Sequence, residues 1–215
     1  MERSIQEQAG MYDGYDIYVV ASGPSAGFIE PEFFDNKVAI GVNEAWLRFP
    51  NLDYLVRKEA ERSQAAYMSG IPLVISRHNC GVLAYALNRL DGPSDYYVFE
   101  HADNQLSNVD LSVIGTDKLI VSWSTITSAM HLAAYMGAAN IILVGHDCGL
   151  IDGQHNMQGY PTALNGEKFY LDWLTKIEPQ SILVRAALQE HYGCRIYSLN
   201  PFLNLGMEGH EYSRR

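Results

Sequence analysis

The 215 residues carry 25 acidic against 15 basic side chains, a formal net charge of −10, and are 47% hydrophobic and 19% charged. A chain of that size and composition buries a core, which excludes a disordered polyelectrolyte; its acidity excludes a general nucleic-acid binder, which needs a basic surface to neutralise phosphates. Cys80, Cys148 and Cys194 are widely spaced with no CxxC pair, so neither a disulfide framework nor a structural zinc site is expected.

Residues 1–14 are polar, lack the apolar core of a signal peptide and read as a flexible lead-in. No apolar run nears the roughly 18 residues of a membrane span, so a reducing cytoplasm is the expected location. A single α/β domain is expected over residues 15–202, opening with the β-branched run 16–22. This strand stops at Gly23-Pro24-Ser25-Ala26-Gly27, a turn in which glycine lets backbone come close and free N–H groups favour an anion. It is neither GxGxxG nor a Walker loop, and a tight strand-to-helix turn would use the same residues.

Further strands are expected at 37–42, 52–56, 72–76 and 96–99, with a short helix through Phe49 and another over 81–90. Residues 102–117 lack a period and read as a flap. A strand–helix–strand unit follows: 119–121, then Ser122, Ser124 and Thr125 as candidate N-caps, then Ile126, Ala129, Met130 and Ala133 at i, i+3, i+4 and i+7. Gly137 stops that helix, and 141–144 is an apolar strand suited to burial on both faces. Residues 156–178 mix turn residues with Tyr160, Phe169, Tyr170 and Trp173, as a lid or a contact in a homo-oligomer would. Pro179 is expected in the first turn of a last helix reaching Tyr192, with Ile182, Leu183, Ala186 and Leu188 inward. A strand at 195–199 and a tail at 203–215 complete the chain. The alternation predicts a Rossmann-like three-layer α/β sandwich with a mainly parallel sheet of about six or seven strands.

Polar side chains collect where these strands end, at 22–25, 43–44, 57–59, 77–79, 122–128, 146–147 and 200. In a parallel sheet those ends share one edge, so a common crevice is expected there. Asp147, Asp152 and His155 form a D-x4-D-x2-H set on one loop. Such a set can hold Mg²⁺ beside substrate phosphates or place a carboxylate and an imidazole for acid–base work. Asp152-Gly153 also reads as an ordinary turn, and His131, inside the helix, as a core residue.

The stretches V-A-S-G-P-S (20–25), T-S-A (127–129) and I-I-L-V-G-H-D…D-G-Q-H (141–155) resemble the MptE-like family. That family includes the archaeal 6-hydroxymethyl-7,8-dihydropterin diphosphokinase and the central domain of flagellin-modifying motility accessory factors. The resemblance covers residues 17–155 and departs from the family at Ala26, where Leu is common. It implies Mg²⁺-dependent diphosphate transfer from ATP to a hydroxymethyl acceptor such as a pterin. A remoter likeness is to the bacterial sialyltransferases that use CMP-sialic acid, through G-P-S, Asn43, Thr127-Ser128, Gly145-x-Asp147 and the strand Ile196-Tyr197-Ser198-Leu199. Their catalytic positions differ here: Thr125 stands where they carry Arg, Gly149 where they carry Tyr, and Trp173 and Leu174 near their catalytic His.

Both likenesses imply a nucleotide donor and a small-molecule acceptor. Gly23, Pro24, Ser25, Thr127 and Ser128 would sit near phosphate or ribose, and Asn43 near sugar or base. Asp147 and Asp152 would bind Mg²⁺, His155 would work beside them, and Arg57, Lys58 or Arg77 would neutralise charge. A glycosyltransferase using a CMP- or UDP-linked sugar, or a non-catalytic nucleotide- or glycan-binding accessory protein, is the alternative.

Overall fold

The computed structural model describes residues 2–58, 66, 68–77, 96–101, 108–160 and 167–199, with side chains from residue 172 onward in the last stretch. The predicted helix at 81–90, parts of the flap and lid (102–107 and 161–166), Asn79, Asn200 and the tail lie outside the described residues.

The strands are β1 (Glu2–Ser4), β2 (Asp16–Val20), β3 (Val38–Val42), β4 (Tyr54–Arg57), β5 (Leu73–Ser76), β6 (Tyr96–Phe99), β7 (Asn140–Val144) and β8 (Arg195–Ser198). They form one eight-stranded sheet in the order β1-β6-β5-β4-β3-β2-β7-β8, and every pair is parallel. The α/β class is as the sequence predicts. The strand beyond the expected number is β1, which adds to β6 and carries Glu2 to Arg77. The lead-in is therefore part of the sheet at its start, and Ile5 and Gln8 just after it are buried.

Alternation along the strands divides the core in two. On one face Ile17, Val19, Ile40, Val56, Ile141 and Leu143 meet helix α1 (Thr125–Tyr135) and helix α2 (Glu167–Tyr192). On the other, Val20, Leu55, Leu73, Ile75 and Val144 meet Phe34, Phe49 and Met157. Edge-to-face ring contacts run Tyr18–Phe33–Phe34–Phe49 there, with centroids 5.6, 5.2 and 5.1 Å apart.

Helix α1 begins where the hydroxyls predict: Ser124 Oγ accepts from the Ile126 N–H, and Gly137, at φ +90, follows its end. It is buried on all sides from Thr125 to Ala134. The run 119–121 before it is not a sheet strand, although Leu119 and Ile120 are buried and Val121 is half-buried. Ile120 donates its N–H to His131 Nδ1 (3.1 Å), and its carbonyl accepts from Ser128 Oγ (2.7 Å). Side chains of α1 thus satisfy the backbone groups that a neighbouring strand would have paired. No strand–helix–strand unit exists there; α1 connects one side of the sheet, through a bridge of Lys118 to Glu100, with β7 near the other.

The last helix starts at Glu167, and Pro179 lies inside it on an exposed face, not in its first turn. Its buried stripe is Leu174, Ile177, Ser181, Val184 and Leu188, alternating three- and four-residue steps that run straight past the proline. Ile182 and Leu183, expected inward, are exposed, as is Ala186. No helix among the described residues is long and apolar enough to cross a membrane.

Candidate functional site

Because all pairs are parallel, the polar strand endings share one edge. Toward its β8 end the turn after β2 and the loop after β7 are locked together. Gly23 N donates to Gly145 O (2.7 Å), Ser25 N donates to Asp147 Oδ2 (2.7 Å), and Ser25 Oγ donates to Asp147 Oδ1. Gly145 takes a left-handed φ of +67 to pass over Ala21. The loop then returns across β2: Ser22 O accepts from Met157 N (2.8 Å), and Ser22 Oγ donates to Asn156 Oδ1 (3.2 Å).

This contact changes the role of the Gly-Pro-Ser turn. The N–H groups of Gly23, Ser25 and Ala26 bond to Gly145, Asp147 and Gly23, and Pro24 has none. A phosphate would have to displace Asp147 to use them. The buried Asp147 carboxylate stands in the place of that anion, capping the short 3-10 turn Pro24–Phe28. Replacing Asp147 with Asn leaves one acceptor oxygen for two Ser25 donors. Asp147→Asn should therefore lower stability by about 2 kcal/mol, a charged hydrogen bond being worth roughly 1.5–3, as urea unfolding would show.

The turn and loop border a cleft of about 60 Å³, lined by Ser22, Gly23, Ser124, Asp147, His155 and Leu174 among others. That is well below the roughly 300 Å³ of ordinary ligand sites. His155 is half-buried on its wall. Asp152, in contrast, is exposed at the tip of a two-residue hairpin in which Ile151 and Gln154 exchange both backbone bonds (3.0 and 2.9 Å). Asp152 and Gly153 have φ of +51 and +75, the positive pair that an Asp-Gly hairpin turn requires. The turn reading holds for Asp152.

Thr127 and Ser128 are fully buried and hold protein rather than facing the cleft. Thr127 Oγ1 lies 2.8 Å from Ser122 Oγ and donates to Ser124 O (2.9 Å), while Ser128 bonds Ile120 as described. Lys58 Nζ reaches Ser122 O at 3.4 Å, tying β4's end to the same turn. At the end of β3, Asn43 takes a left-handed φ of +52, and its carbonyl accepts from Arg57 Nη1 (2.9 Å). Arg57 is itself buried against Glu44 (3.0 Å). Arg77 pairs with Glu2 (2.6 Å) and Glu100 (3.0 Å) at the sheet's edge. Four strand spacings, about 19 Å, separate its strand from β7, so it does not join Asp147.

His146 and Cys148 line the cleft, and Ser181 stands behind His146. His146 is buried with Nε2 2.8 Å from Ser181 Oγ on α2, and burial pushes its pKa down to about 4. Cys148 Sγ lies 3.6 Å from the same nitrogen; burial, aided by Glu178 and Asp147, pushes its thiol up to about 12, so it is protonated and a poor nucleophile at neutral pH. Glu44 accepts from Tyr160 OH at 3.0 Å, and Trp173 Nε1 donates to Trp123 O at 3.0 Å. Two of the four predicted lid aromatics thus make contacts within the chain. Cys148 and Glu44 could have been singled out as neighbours of Asp147 and Asn43; Ser181 offered no sequence signal.

For Mg²⁺ the donor set does not fit. Both Asp147 oxygens accept from Ser25, Asp152 points to solvent on its turn, and among the described residues no group of three His, Cys, Asp or Glu could hold a metal.

Solved structures share this architecture. The chain superposes on the sialyltransferase CstII from Campylobacter jejuni in complex with CMP-3FNeuAc with a TM-score of 0.56 at 12% identity, over 90% of this chain and 85% of that one. The monofunctional α-2,3-sialyltransferase Cst-I from the same organism gives 0.56 at 14% identity, over 90% and 78%. An apo α-2,3-sialyltransferase from Campylobacter jejuni gives 0.52 at 14%, over 95% and 82%. The chain has the fold of these sialyltransferases. No protein-family model and no curated protein matches it, so the MptE-like resemblance rests on its motifs alone.

Proposed function

We propose that the protein is a transferase taking a nucleotide-linked sugar, CMP-linked in the first instance, at the carboxyl edge between β3, β2 and β7. One observation carries the reading: nine tenths of the chain follows the fold of sialyltransferases, one of them in complex with CMP-3FNeuAc, and the polar cleft sits at the sheet edge where α/β folds take ligands. The nucleoside lies over Asn43 and the Gly23–Ser25 turn, which Asp147 holds rigid. An acceptor hydroxyl attacks the anomeric carbon, the carbon–oxygen bond to the nucleotide phosphate breaks, CMP leaves, and the acceptor's proton passes to His155 on the cleft wall. That imidazole replaces a function which the α2 wall does not supply, since Leu174 and Ile177 line the cleft there. At about 60 Å³ the cleft would have to widen to admit the nucleoside.

The MptE-like motifs support a second reading, diphosphate transfer from ATP with Mg²⁺. Melting curves with CMP, CDP, UDP, GTP and ATP, each with and without Mg²⁺, separate the two. At about 100 times Kd a ligand adds roughly 2.7 kcal/mol, which in a domain of this size raises Tm by about 5–10 °C. The expected result is stabilisation by CMP and CDP irrespective of Mg²⁺; a shift confined to ATP with Mg²⁺ would overturn it. CMP binding without CMP release from any CMP-sugar and acceptor glycan would mark a binding accessory instead.

A further inference from the structure

The end of β3 is held by a chain of side chains that the proposed transfer chemistry does not itself use. Asn43 leaves the strand in left-handed backbone, a conformation that Asn adopts more readily than most residues but that still needs support. Three contacts supply it. Its N–H donates to Val56 O (3.2 Å), its carbonyl accepts from Arg57 Nη1 (2.9 Å), and Arg57 Nη2 pairs with the next residue, Glu44, at 3.0 Å. The ion pair is deeply buried, with side chains 5% and 10% exposed, so its geometry tolerates little change. The second Glu44 oxygen accepts from Tyr160 OH (3.0 Å), which arrives from the loop that crosses β2 after β7. The loop's own seat is fixed by Met157, buried in the core below.

We infer that Tyr160, Glu44 and Arg57 are positioning residues: they set the backbone of Asn43 so that its amide faces the nucleoside of the donor, and they make that orientation depend on the 148–160 loop being seated. The inference rests on the nucleotide-sugar reading for its ligand, but not for its geometry. It gives the two halves of the reaction a physical link, since the loop that carries His155 also carries Tyr160. Seating the loop on the acceptor side therefore aligns the donor contact on the other.

Tyr160→Phe is the gentle test, because it removes one hydroxyl and leaves the ion pair in place. Ligand-free hydrogen exchange at the Asn43 amide is expected to quicken roughly tenfold in this variant, the effect of losing one hydrogen bond to a charged acceptor. Global melting should shift by no more than a few degrees. CMP titration supplies the second arm, with Asn43→Gly, which keeps the left-handed backbone and deletes the amide. Tyr160→Phe should raise the CMP Kd about five- to tenfold in the wild-type background and leave it unchanged in the Asn43→Gly background, because the hydroxyl acts through Asn43. Unaltered exchange at Asn43, or equal losses of affinity in both backgrounds, would overturn the relay. Should the wild type bind no CMP, the functional reading falls while the exchange arm still decides the relay.

Discussion

Lowering the pH from 7 to 4 is expected to destabilise the protein strongly, through two buried imidazoles. His131 and His146 are held neutral, with pKa values pushed down to about 3 and about 4 from an ordinary 6.5, in both cases chiefly by burial and for His131 also by the charge of His191. Geometry gives the same answer for His131: the Ile120 N–H points at its Nδ1, and protonation would set N–H against N–H. Its other nitrogen then donates to Tyr192 OH, 3.0 Å away, which also accepts from Gly115 N. Both groups have depressed folded-state values, so the unfolded chain binds the extra protons. Their stabilisation is complete above pH 6.5 and is lost as pH falls toward 4 and then 3. At about 1.4 kcal/mol per pKa unit, each contributes about 3 kcal/mol of that loss by pH 4, against a total stability of roughly 5–15 kcal/mol. Urea midpoints at pH 7, 6, 5 and 4 should fall steeply below 6.5, and His146→Gln should be less stable at pH 7 but flatter with pH. A midpoint constant from pH 6.5 to 4 would contradict this account.

The second large effect is expected from a single methyl group. Gly23 has an ordinary backbone with φ −61, so its requirement is spatial and not conformational. A Cβ there would lie 2.4 Å from Gly145 O and 2.6 Å from Asp147 Oδ2. Neither neighbour can retreat, because one is backbone between β7 and its loop and the other is held by Ser25. Gly23→Ala should cost about 3 kcal/mol or more, a fall in Tm of roughly 6–12 °C, and abolish nucleotide binding with the collapse of the turn. Gly27→Ala in the same turn is the control: its Cβ would sit 3.8 Å from Met157 Cβ, ordinary contact, and melting should change by about 1–2 °C at most.

The sheet was legible because apolar runs bounded by polar residues recur at short spacing, and the parallel arrangement followed from the helices and long connections between them. What was not legible depended on partners distant in sequence. The run 119–121 has a strand's composition, but Ser128 and His131 supply the backbone partners of Ile120, and nothing in a periodicity reveals that a side chain has replaced a strand. The lead-in looked polar because an edge strand of three residues needs no apolar run, only a neighbour and the pairing of Glu2 with Arg77. In the site, the motif residues Gly23, Ser25, Asn43 and Asp147 do gather on one edge. Their functions shift inward: Asp147 supports a turn, and Thr127 and Ser128 support α1. A motif records that residues are needed together, and the need here is partly architectural.

The pairing of β2 with β7 also orders events during synthesis. Strand β2 waits for a neighbour that begins at Asn140, and the Gly23–Ser25 turn for a carboxylate at residue 147. At about 5–20 residues per second the ribosome delivers Asp147 roughly 6–24 s after Ser25. Throughout that interval β2 presents an unpaired edge, the feature that recruits other strands. The cleft is thus among the last parts of the molecule to exist, and a nascent chain is open to misassembly at the very place where the finished protein is to bind its ligand.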